Sequence, residues 1–127
     1  MNKPSSTTDL SVIQKTYDLV KWWVPLLNRL PKDHKFTLSE RIINGLYDLL
    51  ENLVRARYMR RSADKLQLLE AINIRLEILR QQNRLLYDFA LINTDRHEII
   101  ARGLNVIGME LGGWIKRERN THDERLR

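Results

Sequence analysis

Apolar positions recur along this chain at intervals of three and four residues, the period of one face of an α-helix, and they do so in four blocks separated by short polar breaks. The first block carries Leu10, Ile13, Tyr17, Val20, Val24 and Leu27 and predicts a helix over about residues 9–30, with Ser and Thr residues ahead of it as cap candidates. Pro25 lies inside that pattern; it lacks an N–H, its ring crowds the preceding turn, and it should kink or thin the helix near Lys21. Leu30-Pro31-Lys32-Asp33-His34-Lys35 has a proline and no apolar period, so it reads as a loop.

The second block, about 38–60, follows Thr37-Leu38-Ser39-Glu40, which has the order of a capping box. Its stripe is Ile42, Ile43, Leu46, Tyr47, Leu50, Leu53, Val54 and Tyr58. Ser62 is the next cap candidate. The third block, about 63–92, carries Leu66, Leu69, Ile72, Leu76, Leu79, Leu86 and Phe89. Asn93-Thr94-Asp95 supplies a break and a cap for the fourth, about 95–119, with Ile99, Ile100, Leu104, Ile107, Leu111 and Trp114. No segment alternates with the period of a strand. Four helices joined by short turns predict an all-α, up-down-up-down antiparallel four-helix bundle, one domain spanning 1–127 with flexible tails at 1–8 and 120–127.

Apolar residues outnumber what one stripe per helix needs. Leu68, Ile74, Ile78 and Leu85 fall partly off the main face of the third helix, and the adjacent Trp22 and Trp23 point about 100° apart, so that one can enter the core and the other cannot. Surplus of this kind marks an interface and predicts a homo-oligomer. In the fourth helix Gly108, Gly112 and Gly113 each cost about 1 kcal/mol relative to alanine, which something must offset. Gly108 and Gly112 share a face, consistent with close packing on a neighbour. Trp22, Trp23, Gly112, Gly113 and Trp114 are the candidate interface residues.

Charge is concentrated. Between Arg55 and Arg84 there are eight cations (Arg55, Arg57, Arg60, Arg61, Lys65, Arg75, Arg80, Arg84) against three acids (Asp64, Glu70, Glu77), while the flanking segments are nearly neutral. Seven of the eight are arginine, whose planar fork pairs with phosphate at two points and stacks on bases. The stretch points to a polyanion: nucleic acid, or an acidic patch on another protein. Arg57, Arg61 and Lys65 recur at four-residue intervals, Arg80 and Arg84 form an i, i+4 pair, and Lys116, Arg117 and Arg119 add cations to the last helix, where they equally suit a helix C-terminus.

Catalytic and metal-binding patterns find no support. There is no cysteine, no glutamate has a histidine three residues later as di-iron bundles require, and no glycine-rich phosphate loop or G-x-S-x-G is present. His34, His97 and His122 read as solvated or capping histidines. The expectation is a protein that is not an enzyme and takes no cofactor or metal. Without an apolar run of membrane-spanning length or the apolar stretch of a signal peptide, the chain is expected to be cytoplasmic, with no membrane partner.

The Pro31-Lys32-x-His34-Lys35-Phe36 loop, the Leu111-Gly112-Gly113-Trp114-Ile115 segment and the arginine-rich centre together resemble the accessory variability determinant (Avd) proteins of diversity-generating retroelements, within the wider four-helix-bundle group related to S23-type proteins. The resemblance covers about Tyr17 to Arg119. It implies a basic, pentameric barrel of four-helix subunits, without catalytic activity, that associates with the retroelement reverse transcriptase and the template-repeat RNA and supports mutagenic copying. Two alternatives stay open: an S23-like scaffold binding an acidic protein or structured RNA outside a retroelement, and a small-molecule or metal-binding bundle enzyme, which the missing Glu-x-x-His disfavours.

Overall fold

The computed structural model describes residues 7–126. Four long helices, α1 (Thr7–Asn28), α3 (Glu40–Tyr58), α4 (Ser62–Asp88) and α5 (Thr94–Leu126), are joined by short links, the first of which winds a single turn, α2 (Lys32–His34), into one π-helical turn, Lys35–Ser39. No strand occurs among the described residues. Each long helix packs on its neighbours in sequence, and α1 closes the bundle against α5. Asp9, Lys15 and Leu19 of α1 meet Arg117, Glu110 and Gly103 of α5 in reverse order, so the closing pair is antiparallel.

The core is built from three- and four-residue steps on every helix: Val12, Trp23 and Leu27; Ile42, Leu46, Leu49 and Leu53; Leu69, Ile72, Leu76, Leu79 and Leu86; Ile100, Leu104, Ile107, Leu111 and Trp114. Most of the expected stripes of α4 and α5 are there. In α1 the buried face is turned one position from the expected one: Leu10 and Tyr17 are exposed, while Asp9 and Thr16 are buried. Both polar residues are satisfied internally, Thr16 Oγ1 donating to the Val12 carbonyl at 2.8 Å and Asp9 accepting from Arg117. In α3, Tyr47, Val54 and Tyr58 lie outside the core and Leu49 takes the interior position.

The helix ends follow different chemistry from the expected caps. Thr37 sits in the π turn, and α3 has no side-chain cap; Ser39 is buried and donates instead at 2.6 Å to the Leu27 carbonyl near the end of α1, which also accepts from the Leu30 N–H. Ser62 is likewise no cap, since its hydroxyl donates to Glu118 of α5 at 2.7 Å. Asn93 does cap α5, its Oδ1 accepting from the Arg96 N–H at 2.9 Å. The end of α4 is a Schellman turn, with Leu91 N–H on the Leu86 carbonyl and Ala90 N–H on that of Tyr87, and it places Ala90 at φ 58°.

Helix α1 runs unbroken through Pro25, although the Lys21 carbonyl has no N–H to receive there. The tail expected at 120–127 is helical as far as Leu126: no Gly or Pro interrupts it, and Ser62–Glu118 and Arg119–Glu70 tie the preceding turns to α4. Of the other expected tail, Thr7 begins α1 and residues 1–6 lie outside the described residues.

Candidate nucleic-acid interface

A helix rises about 1.5 Å per residue, so Arg61 and Arg84 stand about 34 Å apart along α4, and folding divides the basic stretch. Arg55 and Arg57 close α3, Arg60 and Arg61 lie in the link that follows, and Lys65 stands in the first turn of α4. The contacts Ser62–Glu118 and Glu70–Arg119 bring Lys116, Arg117 and Arg119 of α5 to this same end. Arg75 and Arg80 occupy the middle of α4, and Arg84 belongs to the opposite end. Because the chain breaks between Tyr58 and Ser62, Arg57, Arg61 and Lys65 do not share a helix face despite their spacing. Lys116, Arg117 and Arg119 do not sit at a helix C-terminus either, since α5 continues to Leu126.

The cations differ in what they already hold. Arg117 pairs with the buried Asp9 at 3.2 Å and Arg119 with Glu70 at 2.7 Å, each fastening one helix to another. Arg61 lies 3.8 Å from Asp64, and Arg80 3.3 Å from Glu77. Hydrogen bonds from Gln81 and then Arg80 hold the Glu77 carboxyl below its ordinary pKa. The Arg57 guanidinium stands 5.8 Å from the Tyr58 ring centre, and its Nη1 is buried without a hydrogen-bond partner. Arg75 and Arg80 lie outward from α4 in opposite directions, Arg75 over Gly45 of α3 and Arg80 over Gly108 of α5. At Gly108 a Cβ would take the room of the Arg80 guanidinium, which is the offset that glycine requires, whereas at Gly45 it would stand at ordinary contact distance from Arg75.

Among the described residues no ion pair engages Arg55, Arg60, Lys65 or Lys116, and all four stand at the one end. Arg55 donates to Asn52 at 2.7 Å, which orients it without neutralising it. Three helices and the α3–α4 link thus bring cations without ion pairs to one end of the bundle. Such an array holds phosphates through charge and is indifferent to sequence.

The candidate interface residues divide. Trp23 is fully buried and Trp114 is 3% exposed, so both belong to the chain's own core and have no surface to give a second copy. Trp22, 39% exposed, lines an apolar groove between α1 and α5 with Leu19, Ile99, Gly103 and Val106. Gly113 lies beside Arg117, and a Cβ on Gly112 would meet no atom within 4 Å among the described residues, so none of them offsets that glycine. The groove escaped sequence reasoning because the α1 phase was misjudged. On α4, Ile74, Ile78 and Leu85 form a second exposed apolar row.

Among the described residues no group of three or more His, Cys, Asp or Glu could hold a metal ion, and no described helix is long and apolar enough to cross a membrane. Comparison with curated proteins gives no match. A crystal structure of a protein of unknown function from the S23 ribosomal protein family of Bacteroides thetaiotaomicron VPI-5482 superposes with a TM-score of 0.79 at 22% identity, over 86% of this chain and 98% of that one. That likeness shows the four-helix fold. The bAvd-like family model matches residues 10–118, which take in the core of all four long helices and the basic end, and the chain belongs to that family.

Proposed function

We propose that this chain is a non-catalytic accessory subunit that binds structured RNA, and DNA comparably, and associates with a retroelement reverse transcriptase and its template-repeat RNA to support mutagenic complementary-DNA synthesis in the cytoplasm. The observation that carries the reading is that Arg55 of α3, Arg60 of the α3–α4 link, Lys65 of α4 and Lys116 of α5 stand at one end of the bundle, none ion-paired among the described residues. Membership of the bAvd-like family supports the retroelement partner. The protein supplies charge and shape, and the polymerase supplies the chemistry.

A ring-like homo-oligomer, a pentamer in this reading, multiplies the basic end into a multivalent surface. Its support is the presence of two unlike exposed apolar surfaces, the α1–α5 groove at Trp22 and the α4 row at Ile74, Ile78 and Leu85. Two different patches on one subunit suit head-to-tail contacts, which close into rings when the rotation allows.

The test is template-primed synthesis by the reverse transcriptase with the chain, without it, and with an Arg55→Ala, Arg60→Ala, Lys65→Ala variant that is folded by circular dichroism. Synthesis should require the wild-type chain and fall in the variant. Equal synthesis in all three reactions overturns the accessory role and leaves the S23-like scaffold.

A further inference from the structure

At the end of the bundle away from the clustered cations, α4 and α5 part to leave a groove of about 460 Å³, within the range of about 300–1,000 Å³ usual for small-ligand sites. Its inner wall contains Leu104, fully buried, and Asn83, 2% exposed in an otherwise leucine-rich layer. Asn83 Nδ2 donates to the His97 carbonyl at 3.1 Å, which fixes the carboxamide and leaves Oδ1 as its unpartnered atom. The Nδ1 of His97, in the same wall, is also buried without a partner, while the imidazole stacks on Tyr87 at 4.7 Å between ring centres and 25° between planes. A buried amide oxygen without a donor is a costly group to keep, and here it belongs to a residue that lines a groove while the oxygen itself is closed off from solvent.

The rim supplies one free positive charge. Arg80 is held by Glu77 and lies over Gly108, whereas no ion pair engages Arg84 among the described residues. Asp88 also stands on the rim, so the groove is close to neutral and suits a flat heterocycle with a single phosphate better than a polyphosphate. Resting on the nucleic-acid-binding reading above, we propose that this groove is a subsite for one unstacked nucleotide of a bound single strand, whose exocyclic amino group donates to Asn83 Oδ1 and whose phosphate meets Arg84. The nucleotide's entry shifts the Arg80 and Gln81 side chains, both hydrogen-bonded to Glu77, to uncover Asn83 Oδ1, and the base then lies against Ala101 beside the Tyr87–His97 stack. Cytosine has the required amino group where uracil has an oxygen, so the groove discriminates between two bases of the same size.

The test measures binding of the full chain to labelled cytidine and uridine homopolymers of about twelve nucleotides, with free cytidine monophosphate as a separate arm. Ala101→Phe fills the groove from a half-buried position, and Asn83→Leu removes the acceptor; both are checked for fold by circular dichroism. The wild-type chain should prefer the cytidine strand by about five- to tenfold, the worth of one hydrogen bond to a buried acceptor. The preference should vanish in Ala101→Phe, and in Asn83→Leu where it folds, with salt dependence unchanged. Equal affinity for the two strands, or a preference that survives Ala101→Phe, overturns the subsite while leaving nucleic-acid binding intact. Free cytidine monophosphate binding as tightly as the strand overturns it too, in favour of a free-nucleotide site. Failure to bind either strand sinks the nucleic-acid reading and the subsite with it.

Discussion

The Arg80 guanidinium lies across α5 at Gly108, so close that a Cβ there would displace it. The same helix carries Gly112, where a Cβ would meet nothing within 4 Å among the described residues. These two glycines, one helical turn apart, therefore answer alanine differently. Gly112→Ala should stabilise an isolated chain by about 1 kcal/mol, the helix-propensity difference, raising Tm by about 4 °C. Gly108→Ala should gain less, because Arg80 must move and its contact with Glu77 is disturbed. That disturbance has its own signature. The Glu77 carboxyl, held low first by Gln81 and then by Arg80, should titrate nearer its ordinary value in Gly108→Ala, read by NMR. A depressed carboxylate pKa contributes stability that is present above the unfolded value and is lost as pH falls through the folded one, so the variant should lose this contribution at a higher pH than the wild type.

Ala90 adopts φ 58° in the Schellman turn that ends α4. A Cβ in that conformation crowds the backbone, at a cost of about 1 kcal/mol that glycine avoids. Ala90→Gly should stabilise the protein by about 0.5 kcal/mol once the greater freedom of glycine in the unfolded chain is counted, measured by urea denaturation with an unchanged slope. A loss of stability would mean that the turn relaxes in solution.

What the sequence made legible was local. Asn93 could be read as a cap because its acceptor and the N–H it serves are three residues apart. Ser39 and Ser62 could not be placed, because their hydroxyls serve partners twelve and fifty-six positions away, which only the folded bundle supplies. The phase of α1 was misjudged for a related reason: buried Asp9 and Thr16 look like surface residues, and exposed Leu10 and Tyr17 look like core. Thr16 finds its partner within its own helix at Val12, but Asp9 is held by Arg117, 108 positions away, a pairing that only the placed helices supply. The basic stretch was real as composition, yet a long helix spreads it between both ends, and the three-helix cluster with Lys116 needed the return of α5.

That cluster predicts a specific salt dependence. For a single strand each neutralised phosphate contributes about 0.7 to the slope of log affinity against log salt. Arg55→Ala, Arg60→Ala, Lys65→Ala should therefore reduce the slope by about 2 and weaken binding at low salt, whereas Arg117→Ala and Arg119→Ala, whose charges are engaged by Asp9 and Glu70, should change it less. An unchanged slope in the triple variant would move the phosphate contacts away from this end.

Trp22 and Trp23, adjacent in α1, separate assembly from folding. Trp23 is fully buried, so Trp23→Ala should cost about 3–5 kcal/mol and compromise the bundle itself. Trp22 lines the open α1–α5 groove and is 39% exposed, so its truncation should cost much less than that of Trp23 and leave the helical circular-dichroism signal of the isolated chain nearly unchanged. If the groove receives the exposed α4 row of a neighbouring copy, Trp22→Ala should lower the mass seen by light scattering at micromolar concentration towards the 15.2 kDa of one chain, and Ile74→Ser with Ile78→Ser, on the other half of the contact, should do the same. Loss of assembly from either set of substitutions alone fits a contact in which the groove of one copy receives the α4 row of the next. An oligomer that survives both sets of substitutions would place the contact elsewhere, and a wild-type chain that scatters as a monomer would remove the ring.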